Sequence, residues 1–90
     1  MFYLLTILKK DKMFANIYDN KEDLIKSLDK YKTFPLRLFK LIPTNKDKFD
    51  LCVIKVQGKY IAALGAKEKI ENDNLFTKCI KKEIYVKDLR

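Results

Sequence analysis

The chain reads as an α+β domain: a small, mostly antiparallel β-sheet with one main amphipathic helix packed on one face. Two observations carry that expectation. Short runs of strand-like apolar residues recur along the chain, and one segment places its apolar residues at helical spacing. The order β-β-α-β-β-β and a mixed tail follows, with residues 1–90 forming a single domain, because half of a 90-residue chain is too short to bury its own core.

Phe2 to Lys9 is apolar on both alternating faces, with Phe2, Leu4 and Leu8 on one and Tyr3, Leu5 and Ile7 on the other. Such a strand needs cover on both sides. Lys9-Lys10-Asp11-Lys12 makes a polar turn, and Met13 to Tyr18 resumes the strand pattern to complete a hairpin. Asp19 followed by Glu22 resembles a capping box and predicts a helix over about 20–32. Leu24, Ile25, Leu28 and Tyr31 form its apolar stripe, and Phe34-Pro35 ends it, since the residue before proline avoids α geometry.

Leu36 to Ile42 is the next strand, closed by Pro43-Thr44-Asn45. Phe49 to Gln57 and Tyr60 to Leu64 flank Gly58-Lys59, which predicts a hairpin with a type II′ turn at those two residues. Beyond Gly65 the pattern predicts a short helix or loop over residues 66 to 72 and a terminal strand near 82 to 87.

Absent residues remove most catalytic chemistries. With no histidine there is no Ser-His or Cys-His nucleophile pair, and two glycines cannot build a phosphate-cradling loop. Two cysteines 27 positions apart make neither a four-thiolate zinc site nor a disulfide framework, so no cofactor is expected and the thiols are read as reduced. The apolar run at Phe2 to Leu8 is too short to span a membrane and lacks the flanks of a secretory signal. A cytoplasmic, reducing location and no membrane partner are the expectations. One enzymatic idea survives, a Mg²⁺-dependent nuclease using Asp11, Asp19 and Lys21, because such a metal needs only one or two carboxylates plus waters and phosphates. Both aspartates have simpler explanations, one in a turn and one at a helix cap.

What remains is charge. There are 20 Lys and Arg against 12 Asp and Glu, a net +8, and all but two of the basic residues are lysine. Abundant Lys, Ile and Asn also follow from AT-rich coding, so total charge speaks first to solubility. Its placement is more informative. The predicted helix is nearly neutral and unsuited to reading a DNA groove, whereas Lys9, Lys10 and Lys12 in the first turn, Lys59 at the hairpin tip and Lys81 and Lys82 in the tail are candidates to grip phosphates. Lys40, Lys55, Arg37 and Phe39 are candidates to line a sheet surface on which bases stack, with core packing as the simpler account of Phe39 and Tyr60. The leading expectation is a non-enzymatic basic domain contacting nucleic acid or a nucleoprotein. The alternative is a small inhibitor or accessory protein of a virus or mobile element that binds a host protein. The scarcity of arginine weighs against specific base readout but not against a protein partner.

Overall fold

The computed structural model describes residues 2–63 and 76–89. Strands β1 (Phe2–Lys9) and β2 (Lys12–Tyr18) form the first hairpin, and helix α1 spans Lys21–Lys30. Strands β3 (Leu36–Pro43), β4 (Leu51–Val56), β5 (Lys59–Ala63) and β6 (Phe76–Ile84) follow, and a 3₁₀ turn at Val86–Asp88 ends the described chain. The sheet order is β2-β1-β3-β6-β4-β5, with every neighbouring pair antiparallel.

The sheet is curled into a nearly closed six-stranded barrel. Its two edge strands, β2 and β5, come close enough for Ile17 and Tyr60 to pack on one cluster of Leu4, Phe39, Leu41, Leu51, Val53 and Cys79. The Phe2 and Tyr60 rings, from opposite halves of the sheet, stand 4.9 Å apart. Side chains from all six strands can share one interior only if the sheet wraps around it. A second cluster lies outside the wall, where Leu24 and Leu28 of α1 meet Tyr3, Leu5, Ile7 and Leu38. Burial of those two leucines contributes roughly 3–6 kcal/mol to holding the short helix in place.

This architecture corrects the expected mostly antiparallel sheet with one main helix packed on one face. β1 is indeed apolar on both sides, but only its odd-numbered residues meet the helix. Its even-numbered side faces the barrel interior. One ten-residue helix cannot cover two faces, so the sheet covers its second face with its own far half.

Several local expectations also shift. The helix N-cap is Asn20 rather than Asp19, and its side chain accepts from the Asp23 backbone N–H at 2.8 Å. The second hairpin turns one residue earlier than expected. Val56 pairs with Lys59, leaving Gln57 and Gly58 at φ 50° and 78°, which is a type I′ turn rather than type II′ at Gly58-Lys59. The final strand runs from Phe76 to Ile84 instead of 82 to 87, because Phe76 and Cys79 find partners in β4 while Cys79 and Ile84 find partners in β3. The short helix expected over 66 to 72 lies outside the described residues.

Candidate functional site

The strand directions fix where the lysines go. β1 ends and β2 begins at one end of the barrel, where α1 also ends and β3 begins, since the Leu8 N–H donates to the Pro35 carbonyl at 3.0 Å. The β4–β5 turn lies at the other end, because β4 runs parallel to β2 and leaves the sheet where β2 does. Lys9, Lys10 and Lys12 are therefore together, and Lys59 is at the opposite end of the barrel.

Lys81 and Lys82 sit in β6 on opposite faces of the sheet. Lys81 stands over the buried Phe39 ring at 4.8 Å and its backbone N–H donates to Asp50 Oδ2 at 2.6 Å. Lys82 pairs across the sheet with Lys40, a like-charge juxtaposition that costs rather than stabilises. The six candidate lysines thus fall into four places, and only the turn set converges. The expected base-stacking sheet surface is also corrected, since Phe39 is buried in the barrel and Tyr60 packs inward on Phe2. Arg37 is committed elsewhere: its guanidinium makes a two-pronged contact with Glu83 at 3.0 and 3.1 Å and lies 5.2 Å from the Phe39 ring.

Around the Lys10-Asp11 turn, other elements add what sequence reasoning missed. The end of α1 brings Lys30 and Lys32, giving five lysines (9, 10, 12, 30 and 32) against Asp11 and Asp29. The ion pair found among the described residues, Arg37–Glu83, does not involve Lys9, Lys10 or Lys12. The helix points its partially negative C-terminal end toward this corner, an adverse contribution of about half a charge that Lys30 in the last turn offsets. The lysine charges therefore decide the sign of the local field.

Aromatic rings are interleaved with these charges. Phe14 of β2 is 48% exposed, pairs across β1 with the buried Ile7, and shares its face of the strand with Lys12 and Asn16. Tyr31 caps the helix, with the Lys30 Nζ 5.3 Å from its ring centre, and the Lys9 Nζ lies 5.6 Å from the Phe34 ring. Ile7, Lys9, Phe14, Asn16 and Tyr31 line a cleft of about 220 Å³. The readable signal was the alternation Lys12-x-Phe14-x-Asn16, a lone aromatic between polar residues on one strand face, which is unusual for a core position.

A larger cleft of about 500 Å³ follows the seam between β2 and β5, lined by residues 15–18 and 58–62. Among the described residues no ladder joins the two strands, and Lys59 is the only charged side chain that lines the seam.

Asp11 and Asp19 lie at opposite ends of β2, so the structure does not bring together the expected carboxylate pair, and no His, Cys, Asp or Glu cluster of metal-binding kind occurs among the described residues. Cys52 and Cys79 are free and buried, and burial pushes both thiols above their ordinary pKa. No described helix is long and apolar enough to cross a membrane.

Comparison of the chain with protein-family models, with curated proteins and with solved structures finds no match in any of the three.

Proposed function

We propose that the protein is a non-enzymatic nucleic-acid-binding domain that holds the phosphate backbone at the Lys10-Asp11 end of its barrel. The observation that carries this reading is the convergence there of Lys9, Lys10 and Lys12 beside Lys30 and Lys32. Lysines act on phosphates as point charges, so the expected binding is weakly selective for sequence and strongly dependent on salt. The test is titration of labelled DNA and RNA at several salt concentrations. Replacing Lys9, Lys10 and Lys12 with Ala should weaken binding evenly across sequences and flatten the log–log salt slope by roughly 2 to 3. Wild-type binding no tighter than about 100 μM at physiological salt overturns the proposal.

A second reading, a small accessory or inhibitory protein of a virus or mobile element that binds a host protein, draws support from the seam. Among the described residues the facing edges of β2 and β5 carry no ladder between them, and an extended segment can add to such an edge through main-chain hydrogen bonds. Capture from host lysate with and without nuclease separates the readings. A partner retained after nuclease treatment favours the seam, whereas one lost with the nucleic acid favours the lysine corner.

A further inference from the structure

We infer that the cleft between β2 and the end of α1 takes one unstacked nucleobase, so that the domain binds single-stranded nucleic acid in preference to duplex. The inference rests on the nucleic-acid reading above and names its substrate class.

Three features of the cleft support it. Its size, about 220 Å³, lies below the roughly 300–1,000 Å³ of typical small-molecule pockets and suits a single planar ring. Its lining combines two aromatic rings, Phe14 and Tyr31, with an apolar contact at Ile7, and aromatic faces stack on any base. Asn16 supplies both a donor and an acceptor beside the rings, the equipment for contacting a base edge.

Charge complementarity identifies the occupant. Lys9 lines the cleft itself, and Lys12, its cross-strand partner, lies two residues from Phe14 on the same strand. An uncharged aromatic metabolite would make no use of these cations. A nucleotide uses both parts of the site, since its base enters the cleft while the phosphates on either side remain at the lysines. A duplex keeps its bases stacked and paired, so only its backbone can reach this corner.

Phe14 is half exposed, so its substitution should leave the fold intact, and the chain has no tryptophan, so Phe14→Trp adds a unique fluorescent reporter. The experiment compares single-stranded and duplex oligonucleotides of one length against wild type, Phe14→Ala, Phe14→Trp and the triple Lys9, Lys10, Lys12→Ala variant. The expected results are tighter binding of the single strand by wild type and a loss of about 5- to 100-fold for Phe14→Ala on the single strand alone, with the salt slope unchanged. Phe14→Trp should retain affinity, and its emission should be quenched by the single strand and not by the duplex. Equal single-strand and duplex affinity, with Phe14→Ala indistinguishable from wild type while the lysine variant fails, overturns the base site and leaves the phosphate reading standing. Absence of binding by wild type overturns both.

Discussion

The two hairpin turns solve the same geometric problem with different residues. Each joins its strands through two residues at positive φ, Lys10 and Asp11 at 50° and 64° in one and Gln57 and Gly58 at 50° and 78° in the other. Type I′ geometry matches the right-handed twist of the strands but asks for left-handed backbone, which glycine adopts freely and lysine does not. The β4–β5 turn meets that demand at one of its two positions. The β1–β2 turn meets it at neither with glycine, relying on the modest tolerance of aspartate and leaving a lysine strained at the tip, at the end of the barrel where Lys9, Lys10 and Lys12 collect. Strain of about 1–3 kcal/mol per residue that persists beside a candidate site is the pattern expected where charge placement outweighs local stability.

Replacing the glycine tests the first half of this comparison and carries its largest expected effect. A Cβ at Gly58 meets nothing within 4 Å, so Gly58→Val is strained by its backbone alone. It should destabilise the domain by about 2 kcal/mol in denaturant titration, β-branched residues being the least tolerant of positive φ. Lys59→Ala, one residue on and exposed, should stay within about 0.5 kcal/mol of wild type. Equal losses from the two would mean that the turn is not built on Gln57 and Gly58.

The converse change should raise stability. Lys10→Asn together with Asp11→Gly installs the preferred type I′ pair and should stabilise by about 1 kcal/mol; a lysine and an aspartate leave together, so the corner keeps its net charge and any weakening of nucleic-acid binding reads the contact made by Lys10 itself. A stabilised double variant that binds as tightly as wild type would remove the argument that the strained turn serves binding. A double variant no more stable than wild type would remove the strain itself.

These two turns also show how far the sequence could be read. Both hairpins were legible because alternating apolar runs flank short polar breaks, yet the second turn shifted by one residue because Gln57 carries no signature of positive φ. The helix was legible in Leu24 and Leu28, which the barrel wall buries as the stripe requires. Closure of the barrel was not legible. β1 announced that both its faces are covered, but alternation within one strand cannot say whether a second helix or the far half of the sheet does the covering. The tail misled for a related reason, since Phe76, Cys79, Ile80 and Ile84 match helical spacing while long-range pairing with β3 and β4 makes them a strand. Of the candidate site, Lys9, Lys10 and Lys12 lie together because they belong to one turn. Lys59, Lys81 and Lys82 depended on register between distant strands, and Phe14 was hidden in a run that otherwise looked like core.

The smallest expected effect concerns the charge already spoken for near the strained turn. Arg37 and Glu83, paired at 3.0 Å, lie toward the same end of the barrel as Lys10, but both side chains are well exposed, at 62% and 40%. The hydrogen bond from the Arg37 side chain, aided by the positive charges of Arg37 and Lys81, holds the Glu83 carboxyl below its usual range. A depressed folded-state pKa means that the contribution of the pair is present above the unfolded value for glutamate and is lost as pH falls through the lower folded value. Carboxyl NMR titration should therefore find Glu83 ionising below ordinary glutamate in wild type and moving back up in Arg37→Ala. High salt should narrow the difference, with little change in stability at neutral pH because the pair is solvated. For binding, the comparison sharpens: Glu83 already balances Arg37, so Arg37→Ala should flatten the nucleic-acid salt slope less than Ala at any one of Lys9, Lys10 or Lys12. A larger effect from Arg37 would move the phosphate site from the strained turn to the mouth of the barrel.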